Sequence, residues 1–160
     1  MDRRLTNLRV GVVLLAALLA ACSSAPPPAV PQGHAEGSTD SWYQPAVAEL
    51  KELNQQARGA IAAGKQDDAS AIIQKSQPLT TRLRAVTHPT LEAMEAASDS
   101  DQLYADMLLK NSHQGWARML YQKNVARWKN WRPQTEETAR RRKLAESGIA
   151  ECDRQLTERR

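Results

Sequence analysis

From Ser41 onward the apolar residues of this chain recur three and four positions apart and never alternate over a useful length. That spacing lines one face of an α-helix, whereas a strand would need a period of two. β-Branched residues are scattered. The chain has no phenylalanine, so tryptophan, leucine and methionine must supply its large core volume. The sequence predicts an all-α body, a single small bundle of five or six helices.

Val47, Leu50, Leu53, Ala57 and Ile61 draw the first stripe. It starts near Asp40 or Ser41, tolerates Pro45 in its first turn and ends at Gly64. A second helix is expected over Lys65 to Val86, with Asp67 as N-cap and Ala69, Ile72, Ile73 and Ser76 inward. Leu79, Leu83 and Val86 continue it after Pro78, which is expected to kink or break it near Ser76-Gln77. A short helix over 89–97, a turn at Ser98-Asp99-Ser100-Asp101 and a helix over 101–110 follow. Asn111 to Gly115 interrupts the pattern. A helix from Trp116 to Trp131 is stopped by Pro133, and a last one, about Gln134 to Glu158, carries Ala145, Ile149, Cys152 and Leu156.

The stretch from Ala57 through Gly64 to Ala69 resembles the helix-turn-helix of a tetratricopeptide repeat, chiefly in its small turn residues and its glycine. No second copy follows at a period of about 34 residues, so the likeness implies one αα-hairpin rather than an array.

The N-terminus carries a different message. Arg3, Arg4 and Arg9 stand against Asp2, and Val10 to Ala21 has no charge. A spanning helix needs about 20 apolar residues, so this run is short, and a basic start with small residues at its end reads as a secretory signal. Its close, Leu19-Ala20-Ala21-Cys22, resembles the lipobox of bacterial lipoproteins. The resemblance implies removal of residues 1–21, a diacylglycerol on the Cys22 thiol and an acyl chain such as palmitate on the new amine. One chain anchors a protein marginally, and several anchor it almost irreversibly. Ser23, where Asp would imply retention, implies the outer membrane, facing the periplasm. The plainer alternative is an ordinary secretory signal followed by a chance cysteine.

Proline and glycine crowd Ala25 to Gly33, which predicts a disordered linker over 22–40 and a helical domain over 41–160. The linker would span about 25 Å as a flexible coil and about 55 Å as a polyproline-like one.

Charge is uneven. Residues 40–110 hold seven basic and ten acidic groups, and residues 111–160 hold twelve and six. A basic half would suit lipid headgroups or cell-wall polymer, but mutual neutralisation of the halves needs no partner. Arg140-Arg141-Arg142-Lys143 reads first as a solvated face and second as a contact for anionic lipid. Export from the cytoplasm argues against nucleic acid.

The candidate binding surface is the aromatic-basic helix, through Trp116, Lys123, Arg127, Arg118 and Lys129, which would stack on sugars or grip acidic groups. Trp128 and Trp131 share a stripe with Leu120 and are expected in the core; Trp116 lies at its edge. Asn124 falls within the apolar face and needs a partner, with Asn111 or Asp106 expected. Cys152, left alone once Cys22 is lipidated, is expected to be buried. Glu92 and Glu95 share a helical face as surface acids commonly do, and His88 and His113 lack zinc-ligand spacing. No residue of the chain is expected to be catalytic, and no metal or cofactor is expected. The chain is expected to be a non-enzymatic envelope lipoprotein, anchored through Cys22 and working through an envelope protein partner. Peptidoglycan binding is the second reading, and an envelope hydrolase the third.

Overall fold

The computed structural model describes residues 40–158, which form five α-helices with no strand among them. They are α1 (Tyr43–Ala62), α2 (Gln66–Arg84), α3 (Leu91–Lys110), α4 (Gln114–Asn130) and α5 (Glu136–Glu158). The segment before them, with the stretch expected to be a signal sequence, Cys22 and most of the expected linker, lies outside the described residues.

Gly64 sits at φ 75°, where a side chain would be strained, and lets α1 turn back into α2. The Lys65 N–H closes the turn by donating to the Ala60 carbonyl at 2.9 Å. Asp67 does not cap α2; it lies with Asp68 in the first turn, one residue inside the start at Gln66, where its charge suits the helix dipole. Nor does Pro78 break the helix. Its ring is exposed, while Ile73, Ser76, Thr80 and Leu83 on either side are buried and hold the helix in place across the missing donor.

The larger departure is α3, one helix where a turn at Ser98-Asp99-Ser100-Asp101 divides two in the sequence reading. Ser98, Ser100 and Asp101 are buried, and their side chains serve neighbouring helices instead of capping their own. The Trp128 indole N–H donates to Ser98 Oγ at 2.8 Å, and the Asn124 amide donates to the Ser98 carbonyl at 3.1 Å. The hydroxyls of Ser76 and Ser100 bond at 2.8 Å. The N-terminus of α3 is capped by Thr90, whose Oγ1 accepts the Ala93 N–H at 3.2 Å.

On α4, Ala117, Leu120, Tyr121, Asn124 and Trp128 are buried. Trp128 is fully enclosed, whereas Trp131 is half-buried and meets it edge-on at 6.3 Å. On α5 the Ala145 and Cys152 side chains are buried, and burial raises the Cys152 thiol pKa. Leu156, on the same stripe, is exposed. Gly148 faces Tyr121, and a Cβ there would lie 2.6 Å from the ring.

α3 is the hub. It packs on every other helix, and among the described residues the backbone of the α1–α2 hairpin does not closely approach that of α4 or α5. At the entry to α1, Tyr43 is fully buried, and its hydroxyl accepts the Thr90 N–H at 2.8 Å. The Arg82 guanidinium lies 3.6 Å over the Trp42 ring, which ties the same corner to α2.

Candidate functional site

Two surfaces stand out, on opposite sides of α3. The first is a polar groove of about 330 Å³ between α1, α3 and α5, lined by Arg58, Asp99, Gln102, Arg140, Arg141 and Leu144. It continues along α1 and α3 past Lys51, Gln55, Glu92 and Glu95. Helical spacing puts Glu92, Glu95, Asp99 and Gln102 on one side of α3. Arg141 is the centre, its guanidinium 2.5 Å from Asp99, 2.7 Å from Glu137 and 3.7 Å from Glu95. Arg58 reaches Asp99 at 3.0 Å, and Lys51 reaches Glu92 at 2.6 Å.

These charges hold one another. The Arg140 hydrogen bond, with the field of Arg141, pulls the Glu137 carboxyl down to about 2. Burial instead raises Glu95, against the opposing pull of Arg141. The basic run 140–143 is therefore largely neutralised within the chain: Arg142 also pairs, with Glu146 at 3.4 Å, and Lys143 is exposed. Leu144 stands 48% exposed among these polar groups.

The second surface is at the α3–α4 corner. Trp116 is 64% exposed. It lines an apolar depression of about 400 Å³ with Tyr104, Leu108, His113, Met119 and Leu120. At about 100° per residue, Leu108 lies about 180° around α3 from Asp99, and Tyr104 lies as far from Glu95.

The residues proposed from sequence to act with Trp116 do not all join it. Lys123 and Lys129 are exposed on α4. Arg118 bonds Asp153 of α5 at 2.7 Å. Arg127 departs from the expectation, with a side chain only 8% exposed and 2.9 Å from the buried Asp101. It also bonds Asn124, and Arg84 reaches the same Asp101 carboxylate at 3.0 Å. Arg127 is an internal ion-pair partner, since a buried carboxylate needs its counter-charge close by. Asn124 does find structural partners, namely Ser98 and Arg127 rather than Asn111 or Asp106. Asp106 accepts the Tyr121 hydroxyl instead, at 2.6 Å.

His88 and His113 are exposed, and no group of three or more His, Cys, Asp or Glu among the described residues is placed to hold a metal ion. In the sequence Asp101 reads as a turn residue rather than an internal ion-pair partner, and nothing marks Leu144. A signal for Asp101 exists: Met94, Ala97, Asp101, Tyr104 and Leu108 follow at helical spacing straight through the apparent turn. No helix among the described residues is long and apolar enough to cross a membrane. Comparisons with protein families, curated proteins and solved structures find no match to this chain.

Proposed function

We propose that this is a cell-envelope lipoprotein, acylated on Cys22 and held at the outer membrane facing the periplasm, whose helical body docks an envelope protein without catalysing a reaction. The Leu19-Ala20-Ala21-Cys22 motif supports the anchor. For the body, one observation carries the reading: three separate helices build a shallow, mixed-charge groove around a half-exposed leucine, Leu144. Arginine is among the residues enriched at the energetic centre of protein interfaces, and Leu144 adds exposed apolar surface beside Arg140 and Arg141.

Feeding cells an alkyne-bearing fatty acid tests the anchor. Label is expected on the wild-type chain and absent from Cys22→Ala; an unlabelled wild-type chain would overturn the lipoprotein reading. A photo-crosslinking residue in place of Leu144 tests the groove. A discrete adduct lost on Arg58→Glu is expected, and no adduct in the native envelope would sink it.

Peptidoglycan binding is a second reading, favoured by the exposed Trp116 with Arg118, Lys123 and Lys129 on the same helix. Sedimentation with purified sacculi at low salt decides it, since a wall-binding module would pellet and Trp116→Ala would not.

A further inference from the structure

The α3–α4 corner differs from the rest of the surface in charge as well as exposure. Between Met107 and Thr135 the chain has six basic residues and no acid. Arg118 and Arg127 are matched by Asp153 and Asp101 from other helices. Lys110, Lys123 and Lys129 are exposed and pair with no carboxylate among the described residues. Along the outer face of α4, Trp116, Met119, Lys123, Ala126 and Asn130 follow three and four apart, all exposed.

That face is poorly made for a partner helix. Helix-in-groove recognition takes apolar anchors at i, i+3 or i+4, and i+7, and here the i+7 position is Lys123. It is better made for a bilayer surface. A single indole beside a thioether enters the boundary between headgroups and acyl chains, while lysines on long stems reach lipid phosphates around it. The absence of acids from the stretch removes repulsion from an anionic leaflet, and each lysine near such a surface contributes about 1 kcal/mol.

We propose that the α4 face formed by Trp116, Met119 and Lys123, flanked by Lys110 at the end of α3 and by Lys129 further along α4, docks onto an anionic phospholipid surface. This rests in part on the anchorage reading, because a chain tethered at Cys22 keeps the body at high local concentration near a bilayer. It adds a second contact with the membrane, made by side chains rather than acyl groups. The polar groove, on the other side of α3, would then face away from the lipid.

The test uses residues 23–160, which lack the apolar run and Cys22 and retain the self-contained core of 40–158. Flotation with vesicles of phosphatidylethanolamine and phosphatidylglycerol is compared with phosphatidylcholine vesicles. Binding to the anionic vesicles alone, weakened by salt, is expected. Lys123→Gln with Lys129→Gln should weaken it about 30-fold. Trp116→Ala should weaken it at least roughly tenfold with the helical circular dichroism unchanged. Lys75→Gln, on α2, should have no effect. Equal binding to neutral vesicles, binding that survives Trp116→Ala, or capture by sacculi or polyglutamate but not by vesicles would each overturn the proposal. The protein tested carries no lipid, so a negative result leaves the fatty-acid labelling of Cys22 to be judged on its own.

Discussion

Gly148 lies where the Tyr121 ring fills the space a side chain would take, so α5 can approach α4 at that level only without a Cβ. Gly148→Ala should therefore cost about 1–3 kcal/mol by overpacking, read from urea denaturation. Tyr121→Leu in the same chain should recover part of it, because the obstruction is the ring. An unchanged midpoint in Gly148→Ala would show that the ring moves aside freely. Glu95 offers a prediction of the opposite sign. Its carboxyl holds a proton more tightly in the folded chain than in the unfolded one, so ionisation costs stability at neutral pH and stability is regained as pH falls through the raised value. Glu95→Gln should melt higher than wild type at pH 7, with the gap closing toward about pH 4 as the wild-type carboxyl protonates. Glu137 works the other way, its stabilisation being lost as pH falls from the ordinary carboxylate range toward 2, but both proteins share that loss. A lower melting temperature for Glu95→Gln at pH 7 would mean that the Arg141 contact outweighs burial.

At the scale of the element, α3 shows what local reading misses. Four residues with turn and cap chemistry stand in its middle, and propensity alone divides the helix there. What keeps it whole comes from elsewhere in the chain: Ser76 from α2, with Asn124, Arg127 and Trp128 from α4, take up its polar groups. Such pairings join residues 24 to 30 positions apart, a relation that periodicity within one segment does not encode. The α1–α2 hairpin was legible because its determinants are local, an apolar stripe and one glycine at the turn. The exposure of Trp116 was legible for the same reason, lying at the edge of a helical stripe; the burial of Arg127 was not, because Asp101 is its cause. Asp101→Asn should be severe, about 3–5 kcal/mol in chemical denaturation, since it leaves two guanidinium groups beside a neutral amide. Lys51→Gln, which opens an exposed pair, should leave the midpoint almost unchanged. Similar losses in the two variants would mean that the Asp101 network is as solvated as the surface.

For the whole molecule, the hub position of α3 sets how the body comes apart. Neither the α1–α2 hairpin nor the α4–α5 pair can keep its inner face covered once α3 leaves, so unfolding should be a single transition. Far-UV circular dichroism, which reports on all helices, and tryptophan fluorescence, dominated in the core by Trp128, should trace the same curve in urea. Separated midpoints would show that one pair survives alone. Amides of α3 should be the slowest to exchange, because the last contacts to open are those every other helix shares.

The corner where Tyr43 meets Thr90 also bears on mechanics. A pull arriving along the backbone from residue 40 enters the body at α1, where a helix held by its own turns alone would peel one turn at a time. Here the first turn is riveted: the Tyr43 hydroxyl is bound to the cap of α3, and the Trp42 ring is clamped under Arg82 of α2. Tension arriving there would be shared with α2 and α3 rather than borne by the first turn of α1 alone. A body fastened to a moving surface by its N-terminal end would resist fraying at the turn where the pull arrives.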